Sequence, residues 1–70
     1  MHRFLVVIER ADGNYSAYCP DLPGCVATGD TAEEAEANLH AALQLHIEGM
    51  IEDGEPIPAS TALAQYMVVA

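Results

Sequence analysis

The N-terminal part of the chain carries short runs of β-branched and aromatic residues separated by turn signals, a pattern that predicts strands. The first run, residues 2–9, places apolar side chains on both faces, so we expect a central strand or one covered by a partner. Asp12-Gly13 favours a tight hairpin into a second strand over residues 15–19. A third strand is predicted over residues 25–28. It follows a connector, residues 20–24, whose two prolines cannot continue a central strand.

The middle of the chain changes to helical periodicity. Thr31 is the predicted N-cap, and Glu34 three residues later completes a capping box. Gly54 is a suitable residue for ending the helix. The apolar positions between these signals fall within one arc of about 180°. They are Ala32, Ala35, Leu39, Ala42, Leu43, Ile47, Met50 and Ile51.

The remaining residues predict a linker and a last strand. Residues 55–60 contain two prolines and read as extended chain, and the apolar run 63–69 predicts a fourth strand. The order β-β-β-α-β indicates a single α+β domain over residues 1–70, with one helix on one face of a small, antiparallel-rich sheet. The other face of the sheet must be solvated or buried against another chain, and the first strand, apolar on both faces, favours a second copy there. The predicted homo-oligomer interface contains Leu5, Val7 and Tyr18.

Composition and charge exclude several functional classes. Hydrophobic residues make up 51% of the chain, which is too many for a disordered protein. Two basic and eleven acidic residues give a formal charge of -9. Because two arginines neutralise few phosphates, direct binding to nucleic acid is not expected. The longest apolar runs are far shorter than a membrane span, and no signal peptide is expected.

Cys19 and Cys25 enclose five residues, which is not the spacing of a redox or zinc motif. Small, buried strand residues with free thiols are the expected interpretation, and a disulfide or a thiolate metal site is the alternative. Free thiols without an export signal indicate a reducing compartment, so the predicted location is the cytoplasm.

The chain offers little for catalysis. None of its serines, threonines or cysteines lies in a recognisable nucleophile motif, so no enzyme and no catalytic residue are predicted. His40 and His46 are six residues apart and lie about 240° apart on a helix, so they cannot chelate one ion. We expect partly buried histidines with hydrogen-bond partners; a pH-sensitive contact is the alternative. The sequence predicts no metal and no cofactor.

The acidic residues suggest a different role. Seven acids and no base lie between Asp30 and Asp53. Such a run is most often a solvated helix face, but it also suits a basic protein partner, because opposite potentials favour encounter and selectivity. The candidate partner contacts on this face are Glu34, Glu48, Glu52 and, as an apolar anchor among them, Leu45.

Three ordered segments together resemble the HicB-like antitoxin family. They are Pro-Asp-Leu-Pro-Gly-Cys at 20–25, Gly-Asp-Thr-Ala-Glu-Glu-Ala at 29–35, and Glu-Asp-Gly-Glu-Pro-Ile-Pro at 52–58. The Asp-Gly-Asn-Tyr hairpin at 12–15 fits as well. The resemblance covers nearly the whole chain.

The resemblance implies a truncated ribonuclease H-like sheet with one helix, and a protein that neutralises a small, basic toxin that cleaves messenger RNA. It implies no ribonuclease H activity, because Asp12, Asp21 and Asp30 all lie in predicted turns. Charge and expected exposure, rather than the family, add Asp21 and Leu22 of the connector to the candidate partner contacts.

Family members typically carry a C-terminal DNA-binding segment, whereas these seventy residues stop after the predicted fourth strand. The sequence thus predicts a single-domain, antitoxin-like binding module in a toxin-antitoxin system. A solitary oligomeric scaffold without a toxin partner is the alternative.

Overall fold

A computed structural model describes residues 2–70 and gives three strands followed by one helix. The strands are β1 (Val7–Arg10), β2 (Tyr15–Tyr18) and β3 (Val26–Gly29), and the helix is α1 (Ala32–Glu52). The strands form one antiparallel sheet in the order β1-β2-β3. This confirms the α+β class and the order β-β-β-α.

The β1-β2 hairpin has the turn that Asp12-Gly13 predicts. Gly13 has a φ of 83°, and the Ala11 N–H donates to the Asn14 carbonyl at 2.8 Å. The turn pairs Arg10 with Tyr15 and, further along, Val7 with Tyr18. Because side chains alternate along a strand, this register determines which residues share a face of the sheet. The paired part of β1 begins later than predicted, and residues 2–6 lead into it.

The helix lies on the face of the sheet that carries Ile8, Ala17 and Ala27. The buried core is small, and four of its six side chains are those of alanine or cysteine, which lets helix and sheet approach closely. Its members are Ala17, Cys19, Leu22, Cys25, Ala35 and Leu39. Half-buried Phe4, Val6, Leu43 and Ile47 extend this core towards one side.

The connector between β2 and β3 is a tight loop. The Leu22 N–H donates to the Cys19 carbonyl at 3.1 Å, and the Cys25 N–H donates to the Leu22 carbonyl at 3.2 Å. These bonds turn the two cysteines and Leu22 inward. Both thiols are free, as predicted, and burial together with the neighbouring Cys19 raises the pKa of Cys25.

Both ends of α1 follow the sequence signals. The Glu34 N–H donates to Thr31 Oγ1 at 3.0 Å, and Glu34 Oε1 accepts from the Asp30 N–H at 3.3 Å. At the other end Gly54 has a φ of 70°, and the Glu55 N–H donates to the Met50 carbonyl at 2.9 Å. This is a Schellman termination, which satisfies carbonyls that the last turn leaves unpaired.

The helix approaches β3 at Gly29. A Cβ placed on Gly29 would meet the Ala35 backbone nitrogen and would lie 2.8 Å from the Glu34 carbonyl carbon. Both obstacles are backbone atoms, so they cannot be displaced by a change of rotamer. Glycine at this position therefore sets the distance between helix and sheet.

The prediction of a fourth strand is wrong for the single chain. After the helix, residues 55–70 run without regular secondary structure. Leu63 is 90% exposed, and its apolar neighbours Tyr66, Met67, Val68 and Val69 are also exposed. An apolar, β-rich sequence predicts a strand only if an unpaired strand edge is within its reach. Here the segment does not pair with the edge of its own sheet.

Candidate functional site

Four of the candidate partner contacts lie together on the outer surface of α1. With 3.6 residues per turn, Glu34, Leu45, Glu48 and Glu52 fall within about 60° of one another and span about 27 Å. All four are exposed, and Leu45 retains 71% of its accessible surface. We call this set the acidic stripe. The structure thus places an apolar side chain between carboxylates on one solvent-facing line.

Negative charge is concentrated at the C-terminal half of the acidic stripe. Glu48 and Glu52 lie near the helix end that already carries the negative pole of the dipole, and the last turn contains no basic residue. Glu34, in contrast, lies in the first turn, where its carboxylate takes part in capping. Within the acidic stripe, the negative potential is therefore strongest around Glu48 and Glu52.

Asp21 has a role that the sequence did not reveal. Its Oδ2 accepts hydrogen bonds from the N–H groups of Thr61 at 3.1 Å and Ala62 at 3.2 Å, and its Oδ1 accepts one from Thr61 Oγ1 at 3.0 Å. The bond from Ala62, supported by those from Thr61, holds the pKa of Asp21 below its ordinary value against the opposing effect of burial. We call this arrangement the Asp21 clamp, since it attaches the C-terminal segment to the connector.

Leu22 was predicted to be an exposed partner contact, and the predicted exposure is wrong. Its side chain is only 2% exposed and belongs to the core. The backbone bonds of the connector turn Leu22 inward while they leave Asp21 at the surface. A leucine between two prolines in a loop gives no sequence signal for this inward direction.

The predicted oligomer-interface residues do share a face. Val7 pairs with Tyr18 and Tyr18 pairs with Val26, so these side chains form a row across all three strands, on the face opposite the helix. Leu5 precedes this row with the same alternation. Val26, which is 60% exposed, is the member that sequence reasoning missed. Alternation along the predicted third strand could have identified it. We call these four residues the outer patch.

Glu9 lies on the strand next to Tyr18. As a hydrogen-bond acceptor for the phenol, and through its charge, the Glu9 carboxylate raises the pKa of Tyr18.

An open groove separates α1 from the chain leading into β1. Its volume is about 1000 Å³, and its apolar floor comprises Phe4, Val6, Leu43 and Ile47. Glu33, Glu36 and Glu48 lie on the helix side of the rim. The groove exists because α1 packs mainly over β3 and least over β1. We call it the β1 groove.

The histidines do not form a buried pair. His40 and His46 are both exposed, so the expectation of partly buried histidines is wrong. His40 lies at the β1 groove. Across residues 2–70 no group of three or more His, Cys, Asp or Glu side chains is arranged to hold a metal. In the same residues no helix has the length and apolar character needed to cross a bilayer.

Similar proteins occur in phages, bacteria and archaea. A 14.9 kDa protein from the rep-hol intergenic region of Haemophilus phage HP1 is 44% identical over 62 residues, which cover 89% of this chain but 47% of the phage protein. The chain thus spans about half of that relative. A UPF0150 protein of Synechocystis is 42% identical over 83% of this chain and 75% of its own length. A UPF0150 protein of Thermoplasma acidophilum is 34% identical over 83% of this chain and 84% of its own length.

No solved structure gives a significant match to this chain. The likeness to a truncated ribonuclease H sheet therefore stays a prediction. The family model for the HicB-like antitoxin of bacterial toxin-antitoxin systems, in contrast, matches residues 4–69. With nearly the whole chain matched, and with relatives that are 44% and 42% identical to it over the aligned residues, the chain belongs to the HicB-like antitoxin family.

Proposed function

We propose that this protein is an antitoxin that neutralises a small, basic, messenger-RNA-cleaving toxin by covering the toxin's RNA-binding surface. The acidic stripe is the observation that carries the proposal. A protein that binds RNA needs a basic surface, and a line of exposed carboxylates competes for that surface. The proposed place of action is the cytoplasm, where such a toxin meets its RNA.

The two kinds of side chain in the acidic stripe have different roles in this proposal. Glu48 and Glu52 attract the toxin and orient it, an effect that acts on the association rate and weakens with salt. Leu45 supplies an apolar contact that slows dissociation once the surfaces meet. Glu34 contributes charge at the far end. Asp21, on the connector, acts as a secondary contact.

The proposal is tested by titrating the protein with the product of an adjacent gene that encodes a small basic protein. In Glu48→Lys/Glu52→Lys, we expect affinity at low salt to fall by at least about tenfold, mainly through slower association. Positively charged lysines interact favourably with the negative pole at the C-terminal end of the helix, so the variant should remain folded. Calorimetry and stopped-flow kinetics measure the two effects.

Asp12→Lys is the charge control, because Asp12 is exposed in the hairpin turn and lies outside the acidic stripe. It should bind the toxin nearly as well as the unchanged protein. Absence of binding at low salt contradicts the antitoxin role. Binding that is equally weakened by Asp12→Lys, or is insensitive to salt, contradicts the acidic stripe as the contact surface.

A solitary oligomeric scaffold is the second candidate, and the outer patch favours it. Val7, Tyr18 and Val26 form an apolar row on the sheet face that the helix leaves uncovered. Like charges on two copies oppose such an assembly, so its apolar interface should strengthen with salt. Sedimentation tests it: a monomer throughout the micromolar range rejects the scaffold, and Val26→Asp should dissociate it.

A further inference from the structure

The C-terminal segment and the β1 groove are complementary in shape and chemistry. The segment Leu63–Ala70 contains five large, exposed apolar residues and could reach about 26 Å as a strand. The β1 groove has an apolar floor and lies beside the open edge of β1. A strand added to that edge would bury its apolar side chains on Phe4, Val6, Leu43 and Ile47. It would also supply the strand that the sequence predicts.

The segment does not fill the groove of its own chain. The Asp21 clamp holds Thr61 and Ala62, and residues 60–64 lie beside residues 3–5. Beyond that point the chain leaves the domain, and Val68 is 100% exposed. The radius of gyration is 13.6 Å, compared with about 11 Å for a compact domain of seventy residues.

We infer that two copies of this chain exchange their C-terminal segments, so that residues 63–69 of each copy add a strand to the β1 edge of the other. The exchange is reciprocal, so a twofold axis closes both open edges. The Asp21 clamp fixes where the segment leaves its own domain. The exchange requires neither a toxin nor Val7, Tyr18 and Val26, which lie on the other face of the sheet.

The distribution of charge favours a second copy of the chain, rather than a basic partner, at the β1 edge. Residues 56–70 contain no charged side chain, and neither do residues 4–8, which lead into β1. Arg3 precedes that run, and Glu9 and Arg10, whose charges offset each other, follow it. Two chains of charge -9 can therefore meet at this edge with the least repulsion. A basic partner, by contrast, would find no side-chain carboxylate in residues 56–70 to bind.

The exposed area is sufficient for such an interface. The accessible surface of 5498 Å² exceeds the value of about 4,200 Å² expected for a folded chain of 7.5 kDa. The excess, on the order of 1,300 Å², is larger than the roughly 800 Å² per partner that a standard interface buries. Exchange would remove most of this excess from water.

Sedimentation equilibrium across the micromolar range tests the association with two matched variants. Val68→Asp places a charge within the exchanged strand and should raise the dimer dissociation constant by at least about tenfold. Val26→Asp introduces the same charge on the outer patch. It should leave the constant of the exchanged dimer nearly unchanged, whereas it would dissociate an assembly held by the outer patch. Both residues are exposed, so both variants should fold, and circular dichroism checks this.

Paramagnetic broadening then tests the geometry. A nitroxide is attached to unlabelled Gln65→Cys protein, whose own two cysteines are buried, and this protein is mixed with unchanged ¹⁵N-labelled protein. Amides of β1 in the labelled copy should broaden more than those of β3. The inference is overturned by a monomer, by dissociation in Val26→Asp but not in Val68→Asp, or by broadening that occurs only within the spin-labelled chain.

Discussion

Leu39 and Leu63 are the same residue type in two regions of one chain, and their surroundings are opposite. Leu39, on α1, is 1% exposed and lies among small side chains of the sheet and connector. Leu63, beyond the Asp21 clamp, is 90% exposed. Hydropathy predicts burial for both. The difference shows that burial depends on a partner surface within reach, and that the C-terminal segment lacks one in its own chain.

Truncating each leucine to alanine should give the largest difference in stability between the two regions. Leu39→Ala creates a cavity in the core and should lower the free energy of unfolding by about 2–5 kcal/mol. Leu63→Ala removes a side chain already in water and should change the monomer's stability by less than about 0.5 kcal/mol. Urea denaturation at a concentration where the protein is monomeric measures both. Equal losses would mean that the segment packs on its own domain.

Two glycines provide the next test, since only one of them lies where α1 and the sheet approach closely. Gly29→Ala should destabilise the fold by about 1–3 kcal/mol, because the added methyl meets backbone atoms of Glu34 and Ala35. Gly49→Ala, in open space within the helix, should stabilise it by about 0.5–1 kcal/mol. Thermal unfolding, monitored by circular dichroism, shows whether each substitution lowers or raises the stability. A neutral Gly29→Ala would contradict the close approach.

The Asp21 clamp joins the two regions, and its removal should affect the segment more than the core. In Asp21→Ala the amides of Thr61 and Ala62 lose their acceptor, so their ¹⁵N relaxation should become that of mobile chain while the Leu39 amide is unchanged. Asp12→Ala is the control. Unchanged relaxation at Thr61 in Asp21→Ala would show that other contacts hold the segment.

The clamp also predicts a pH dependence. Because folding lowers the pKa of Asp21, its contribution is fully present above the ordinary value of about 3.9 and is lost as pH falls through the lowered value. The Thr61 amide proton shift should therefore titrate with a midpoint below that ordinary value. A midpoint at or above it would contradict the hydrogen bonds.

Local signals in the sequence were sufficient to predict most of the fold. Asp12-Gly13 identified the hairpin, and Thr31 with Gly54 identified both ends of the helix, because each signal satisfies backbone groups next to it. Periodicity then found Ala35 and Leu39, which form the buried side of α1. These predictions depend only on neighbours within one turn or one hairpin.

Predictions that depended on distant contacts were less successful. Leu22 was expected at the surface and is buried, since the backbone bonds of the connector determine its direction. The engagement of Asp21 with Thr61, forty residues away, has no local signal. The fourth strand is absent from the single chain, where residues 63–69 do not pair with the open edge of β1. The acidic stripe could be placed from helical spacing alone.

The positions of the two arginines allow trypsin to probe the accessibility of β1. Trypsin cleaves after lysine and arginine, and in these seventy residues such bonds follow only Arg3 and Arg10, at the two ends of the run that leads into and forms β1. Every other peptide bond is outside its specificity. The rate of cleavage after Arg10, the last residue of β1, therefore reports the accessibility of that strand without any label.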